Sequence, residues 1–184
     1  MKAPIALGAR AFLLAVLAGC TGLSGAPAPG GRFLTFVSPK QAHGEPFLGV
    51  SGTNFFALRS SIDTRTGEAV HQVYVEDSYF GAERNWEAAR DPAGQALRFI
   101  PISKNQISCD NGCSYAEEFA ASLPEALLRT SPQGLAISFT ARSGARETIQ
   151  VPGDLIQKQL AAIDEARASL PTASAAPPPA NPTR

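Results

Sequence analysis

Residues 135–152, LAISFTARSGARETIQVP, consist of two alternating apolar and polar runs joined by a Ser-Gly pair. This alternation is typical of β-strands with one buried face, and Ser-Gly is a favoured two-residue hairpin turn. The apolar positions are predicted to face the core: Leu135, Ile137, Phe139, Ile149 and Val151. Strands of this one-sided kind imply an antiparallel sheet that is covered on one face.

Five further runs that precede this hairpin have the composition of strands. The runs NFFALRSSI and AVHQVYVED flank a loop that contains Gly67, which predicts a second hairpin. Residues 38–53 are predicted to be a loop around a short FLGV segment. Residues 78–95 break the strand pattern and are predicted to be a loop with one helical turn. The five runs are residues 32–37, 54–62, 69–77, 96–108 and 114–123.

A single helix is predicted after the last strand. Pro152 suits the first position of a helix, and Asp154 is favourable in the opening turn. Apolar residues spaced four and three apart then form one stripe up to about residue 167: Ile156, Leu160 and Ile163. The predicted fold is therefore mainly β, an antiparallel β-sandwich or curled β-sheet of about seven strands with one C-terminal α-helix.

The first residues have the pattern of an export signal. Lys2 and Arg10 carry positive charge, and the apolar run AFLLAVLA at residues 11–18 is too short to remain in a bilayer as a spanning helix. The run ends at Leu17-Ala18-Gly19-Cys20. This ending resembles the lipobox of bacterial lipoproteins, which implies that Cys20 is acylated and becomes the new N-terminus. The alternative is an ordinary cleaved signal that is followed by a chance cysteine.

The lipobox resemblance also implies a location. More than one acyl chain makes a lasting membrane anchor. The residue after the cysteine is Thr21, not the aspartate that retains such proteins at the inner membrane in some bacteria. We therefore expect a protein of the bacterial cell envelope, lipid-anchored in the outer membrane and facing the periplasm.

The chain divides into four parts by composition. Residues 1–19 are the predicted signal peptide, and residues 20–31 are the lipidated cysteine with a flexible tether rich in Pro and Gly. Residues 32–168 are the predicted globular domain, and residues 169–184 are a Pro/Ala-rich tail that is predicted to be disordered. Without Lys2 and Arg10, 14 basic residues face 16 acidic ones. That balance offers no basic patch, so nucleic acid is not an expected partner.

Cys109 and Cys113 bracket the sequence CDNGC and are predicted to form a disulfide. In an exported protein, two cysteines around an Asn-Gly turn favour a structural bridge, with Gly112 in a left-handed conformation. Redox chemistry is an alternative, but the spacing is not Cys-x-x-Cys and no positive group adjoins the thiols. A metal site is disfavoured because no histidine lies near.

Glu117 lies between two aromatic residues on the apolar face of its predicted strand. A carboxyl group in that position needs an arginine or other hydrogen-bond donors, or else it holds its proton. Pairing with an arginine at a sheet edge, or a bulge that turns the side chain outward, is the structural interpretation. The functional interpretation makes Glu117 a general acid, with Asp77 or Glu76 as the second carboxylate.

The segment 79–90 contains the only tryptophan of the chain. Tyr, Trp and Arg are over-represented where proteins bind one another, and a long ordered connection is often functional. The predicted binding surface consists of Tyr79, Phe80, Arg84, Trp86 and Arg90. The structural alternative is a loop lid whose Trp86 caps the core.

The predicted function is a non-catalytic binding or assembly module in the envelope, with an unknown envelope protein as partner. No hydrolase motif, phosphate-binding loop or calcium loop is present, so we expect no cofactor and no metal. The first alternative is a carrier of a small apolar ligand or lipid. The second is a hydrolase that uses Glu117.

Overall fold

The structure, a computed structural model, describes residues 31–110 and 112–170. The predicted signal peptide, Cys20 and most of the predicted tether lie outside these residues, as does the predicted tail from residue 171 onward. The described part contains ten strands, two α-helices and one 3-10 turn at Phe47–Gly49. The strands are β1 Phe33–Val37, β2 Gln41–Ala42, β3 Phe55–Asp63, β4 Ala69–Phe80, β5 Trp86–Arg90, β6 Ala96–Leu97, β7 Phe99–Ser108, β8 Ser114–Leu123, β9 Gly134–Ala141 and β10 Arg146–Pro152. The helices are α1 Glu125–Arg129 and α2 Gly153–Ser169.

The strands form two antiparallel sheets. The first has the order β1-β3-β4-β8-β7, with β2 paired to the other end of β3, and the second has the order β10-β9-β5-β6. The predicted hairpin forms with Ile149 opposite Ile137 and Val151 opposite Leu135. The fold is mainly β, with two antiparallel sheets and one C-terminal helix, which confirms the predicted class of an antiparallel sandwich or curled sheet. The described residues form ten strands where about seven were predicted, and two of the ten, β2 and β6, have only two residues each.

The segment 78–95 differs from its prediction. Residues 78–80 continue β4, and residues 86–90 form β5, so only residues 81–85 and 91–95 lie outside strands. β5 pairs with β9, with a register shift between Trp86 and Ala88. That shift interrupts the period-2 alternation by which a strand is recognised in a sequence. The prediction of a loop with a helical turn was therefore wrong here.

The core lies between the two sheets and is rich in aromatic rings. Phe119 of β8 and Phe139 of β9 are almost completely buried, with ring centroids 5.0 Å apart. The Trp86 ring lies 5.2 Å from that of Phe119. Phe119 thus joins the first sheet to β5 and β9 of the second.

α2 covers one open side of the sandwich. It contacts β1 and β3 of the first sheet and β9 and β10 of the second. Ile156 and Ile163 are fully buried, as the apolar stripe predicts, whereas Leu160 is only partly buried. The fully buried Gln159 was not predicted; its Nε2 donates to the backbone oxygen of Phe36 at 3.0 Å. The short helix α1 was also not predicted.

Candidate functional site

Two carboxyl side chains lie opposite each other on the core-facing side of the first sheet. Asp77 of β4 is the register partner of Glu117 of β8, and the two residues are 4% and 5% exposed. Like charges directly opposite each other destabilise a sheet, and a buried carboxylate needs donors. These donors come from the end of β4, the connection 81–85 and the start of β5.

Glu117 holds this connection through three hydrogen bonds. Its Oε1 accepts from the Tyr79 hydroxyl and from the Asn85 N–H at 2.9 Å, and its Oε2 accepts from the Trp86 N–H at 3.1 Å. Asn85 has a φ of 56°, a left-handed conformation that Asn tolerates better than most residues. The predictions of an arginine partner or an outward bulge were wrong, because the side chain points inward and binds a hydroxyl and two amides.

Asp77 holds the same connection from the other side. Its two oxygens accept from Nη1 of Arg84 at 2.9 and 2.7 Å, and its Oδ2 also accepts from Nε1 of Trp86 at 2.8 Å. The Arg84 guanidinium lies over the Tyr79 ring, 4.2 Å from its centroid, and the Arg84 N–H donates to the Tyr79 hydroxyl at 2.8 Å. Asp77, Tyr79, Arg84, Trp86 and Glu117 therefore form one connected buried network.

The protonation of Tyr79 fits its place in this network. Burial raises the pKa of the Tyr79 hydroxyl, and the hydrogen bond to Glu117 raises it further. The hydroxyl therefore stays protonated and donates to the carboxylate of Glu117. Each oxygen of Glu117 and Asp77 already accepts at least one hydrogen bond within the protein. The geometry therefore gives both carboxylates a positioning role.

A groove of about 640 Å³ opens beside this network. It lies at the β7 edge of the sandwich, on the side away from α2, between β7 and the start of β5. Its apolar lining comes from Trp86, Phe99, Pro101, Ile102 and Phe119, and its charged lining from Glu87, Lys104, Glu117, Glu118 and Arg142. An open site with an apolar floor and a few placed polar groups is suited to binding.

The two basic residues at the rim of the groove, Lys104 and Arg142, are each paired with a carboxylate. Nζ of Lys104 lies 2.5 Å from Oε2 of Glu83 and 3.0 Å from Oδ1 of Asn85. Nε of Arg142 lies 3.1 Å from Oε2 of Glu87. Ile102, at a register shift of β7, remains 45% exposed at the mouth of the groove. A partner could therefore contact Ile102 without disturbing the core.

The structure brings three of the five residues of the predicted binding surface together in the buried network, namely Tyr79, Arg84 and Trp86, and places the other two elsewhere. Tyr79 and Trp86 are 4% and 6% exposed, so they belong mainly to the interior, although Trp86 also lines the groove. Arg84 reaches solvent only in part, because Asp77 holds its guanidinium. Phe80 is 59% exposed at one end of the first sheet, while Arg90 lies on β5 and donates to the oxygen of Gly94.

Cys109 and Cys113 form a disulfide, as predicted. Their sulfurs are 2.03 Å apart and their Cα atoms 3.9 Å apart. Gly112 has a φ of 99°, which is the left-handed conformation expected for this turn. The N–H of Gly81 donates to the oxygen of Cys113 at 2.9 Å, so the closed hairpin is joined to the end of β4.

A second set of connected polar residues, Ser60, His71 and Glu125, was not predicted from the sequence. Oγ of Ser60 lies 2.7 Å from Nδ1 of His71, and Nε2 of His71 lies 3.5 Å from Oε2 of Glu125. The order Ser-His-Glu is that of a catalytic triad, but Ser60 is only 1% exposed and does not line the adjacent cleft. A nucleophile must reach its substrate, so the three residues join β3, β4 and α1 instead.

Burial favours the neutral form of His71. Burial lowers the pKa of His71 although the Glu125 carboxylate opposes this, and the cations of Arg167 and Arg129 lower it further. Burial alone would raise the pKa of Glu125, but its bonds to Arg167 and Arg129 hold that pKa at about 2. Neither His71 nor Glu125 was predicted as part of a site. The period-2 alternation of β4 does place His71 on the same face as the core residues Val73 and Val75. That alternation could have predicted that His71 is buried.

The described residues contain neither a membrane-spanning helix nor a cluster of metal ligands. No helix among them is long and apolar enough to cross a membrane. No group of three or more His, Cys, Asp or Glu residues in this part of the chain could hold a metal ion.

Comparison of the chain with protein-family models, with curated proteins and with solved structures finds no match.

Proposed function

We propose that this chain is a lipid-anchored lipoprotein of the bacterial cell envelope, whose β-sandwich is a non-catalytic binding or assembly module facing the periplasm. The groove at the β7 edge is the proposed binding site for an envelope protein. The observation that carries the proposal is the rigid construction of this groove. One wall is fixed by the hydrogen bonds of Glu117 to Asn85 and Trp86. A wall that keeps its shape before binding reduces the entropy lost on association.

Two further features support an exported, anchored protein. The disulfide between Cys109 and Cys113 is the kind of bond that persists outside the reducing cytosol. The Leu17-Ala18-Gly19-Cys20 sequence resembles a lipobox, as described above. The outer membrane is the proposed location, because Thr21 follows the cysteine.

Metabolic labelling with palmitate tests the anchor. The wild-type protein should incorporate label, and the Cys20→Ala variant should not. The Cys109→Ser/Cys113→Ser variant is the matched control, because it lacks the other two cysteines and should still be labelled. Equal labelling of the wild type and the Cys20→Ala variant would refute lipidation at this residue.

Cross-linking in cells tests the groove. Ile102→Glu places a charge at the mouth of the groove without touching the core, and should abolish a cross-link that forms at Lys104. Val70→Glu is the matched control, because Val70 is 56% exposed on the first sheet far from the groove. A cross-link that survives Ile102→Glu, or that both variants abolish, would argue against this site.

The carrier alternative has one observation in its favour, which is the apolar floor of the groove. Phe99 and Phe119 stack there, with ring centroids 5.7 Å apart. Native mass spectrometry of the purified protein separates the two functions. A small apolar molecule that co-purifies, and that is lost in Ile102→Glu, would favour the carrier. The hydrolase alternative has no such support, because Glu117 and Asp77 are already engaged.

A further inference from the structure

We propose a second docking surface, separate from the groove, at one end of the first sheet, with a partner protein as its occupant. Four apolar side chains form this surface, which we call the apolar tip: Phe47, Leu48, Val50 and Phe80. The rings of Phe47 and Phe80 have centroids 4.7 Å apart. Leu48 is 70% exposed, Val50 56% and Phe80 59%. Single exposed apolar residues are ordinary, but a contiguous group of them marks an interaction site.

The backbone of the apolar tip makes a tight turn at Leu48 and Gly49, closed by a hydrogen bond from the Val50 N–H to the Phe47 oxygen at 3.0 Å. Leu48 has a φ of 54°, in the left-handed region that residues with a Cβ rarely adopt. The Leu48 side chain at this turn is exposed to solvent and packs into no core cluster of the described residues. Strain that presents an apolar side chain to solvent is the kind of outlier from which function is inferred.

Hydrogen bonds keep the loop of the apolar tip in this conformation. The Phe47 N–H donates to Oγ1 of Thr53 at 2.8 Å, and the same Thr53 hydroxyl donates to the oxygen of Val50 at 2.7 Å. Nδ2 of Asn54 donates to the oxygen of Glu45 at 2.8 Å, and Oδ1 of Asn54 accepts from the Ser78 N–H at 2.6 Å. The surface is therefore formed before a partner arrives.

The charges beside the apolar tip define the chemistry of its partner. Glu45 and Glu147 line the adjacent cleft of about 380 Å³, where Nδ1 of His43 lies 3.8 Å from Oε1 of Glu147. The one arginine in the lining, Arg84, is engaged by Asp77, so Glu45 is the carboxylate left open to a partner. An apolar surface with an acidic border fits a protein surface with apolar residues flanked by Lys or Arg. The same border repels an anionic lipid surface. A protein is therefore favoured over a bilayer.

The apolar tip lies at the end of the domain away from both ends of the described chain. Arg32 contacts Asp63 at one end of β3 with a 2.7 Å ion pair, and Gly67 lies near Leu170 after α2. The loop of the apolar tip precedes Phe55, at the opposite end of β3, about 30 Å away for a strand of this length. If Cys20 is anchored as proposed, the apolar tip faces away from the anchoring end.

Site-specific photo-cross-linking tests this surface in the full chain, in the bacterium that produces it. A photoreactive benzoylphenylalanine replaces Phe80, and the same residue replaces Phe33 as the matched control, because Phe33 is 51% exposed at the other end of the sheet. We expect one protein product from position 80 that position 33 does not give. The cross-linked segment, mapped by mass spectrometry, should combine apolar residues with Lys or Arg.

A synthetic peptide of that segment then gives an affinity. Leu48→Asp and Glu45→Lys should each weaken the Kd at least tenfold, while Val70→Asp and the groove variant Ile102→Glu should change it less than twofold. Lipid adducts, a cross-linked second copy of the chain, an acidic segment, or equal products from positions 80 and 33 would each overturn the proposal. Because Ile102→Glu tests the groove alone, failure of one surface is distinguishable from failure of the other.

Discussion

Glu117 is the single side chain on which the connection between β4 and β5 depends most. Gln has nearly the same shape, but an NH2 group takes the place of one of the two carboxylate oxygens. In place of Oε2 this group faces the Trp86 N–H, and in place of Oε1 it faces the Tyr79 hydroxyl and the Asn85 N–H, so in both positions donor meets donor. A buried donor left without an acceptor costs about 1–3 kcal/mol. We therefore expect Glu117→Gln to reduce the free energy of unfolding by about that amount in urea denaturation.

Glu87→Gln is the control for this experiment. Its side chain is 46% exposed, and its ion pair with Arg142 lies at the surface. Exposed ion pairs contribute roughly 0–1 kcal/mol, so the free energy of unfolding should change little. If the two variants lose equal stability, the hydrogen bonds of Glu117 do not have the structural role assigned to them.

His71 gives the protein a specific pH dependence of stability. Its pKa in the folded state lies below the value near 6.5 of an unfolded chain, so the unfolded state binds the proton first as the pH falls. The free energy of unfolding should therefore decrease as the pH falls below about 6.5, until the folded-state pKa is reached. His71→Gln should flatten this decrease between pH 7.5 and pH 5.

His71 and Glu125 affect the free energy of unfolding in different pH ranges. Because the pKa of Glu125 is held at about 2, the stability that its ion pairs contribute is lost only as the pH falls from about 4.5 toward 2. Denaturation of the wild type and of His71→Gln at several pH values therefore separates the His71 contribution above pH 5 from the loss at acid pH. To that loss Asp63, Glu83 and Asp164, whose pKa values are also lowered, contribute together with Glu125. An unchanged slope in His71→Gln above pH 5 would assign the pH dependence to other groups.

Among the elements, the β7–β8 hairpin is the one closed by a covalent bond. Cys109 and Cys113 are separated by four positions in the sequence, so the disulfide closes a loop of only a few residues. The chain-entropy model gives about 2 kcal/mol for such a loop. We expect the Cys109→Ser/Cys113→Ser variant to lose about that much stability in thermal unfolding. Dithiothreitol should then lower the Tm of the wild type but not that of the variant.

Strands with a regular alternation of apolar and polar residues could be predicted from the sequence, whereas a strand in which a register shift interrupts the alternation can be missed. The β9–β10 hairpin could be predicted because its register is continuous from Arg146 to Pro152. β5 could not, because its register shift beside Trp86 breaks the alternation. The disulfide could be predicted from the two cysteines around an Asn-Gly turn together with the export signal. The buried network could not, because Asp77 and Glu117 come together only through the pairing of β4 with β8.

The two open sides of the sandwich differ in whether a helix covers them. α2 covers the side formed by β1, β3, β9 and β10, whereas the groove stays open on the side of β5 and β7. The apolar tip lies at a third place, at the end of the first sheet. The described domain therefore combines one covered side with an open groove and an exposed apolar tip, the two surfaces that we propose as binding sites. The proposed assembly role requires more than one such surface.

Truncation tests whether α2 completes the fold. Burial of Leu155, Ile156 and Ile163 contributes about 1.5–3 kcal/mol for each side chain, and together this approaches the roughly 5–15 kcal/mol by which a typical protein is stable. A chain that ends at Pro152 should therefore fail to give a cooperative thermal transition by circular dichroism. A chain that ends at Leu170 removes only the Pro/Ala-rich tail and should keep the Tm of the full chain within about 2 °C, since surface changes are usually within 0.5 kcal/mol. A cooperative transition in the shorter chain would show that the two sheets hold together without the helix.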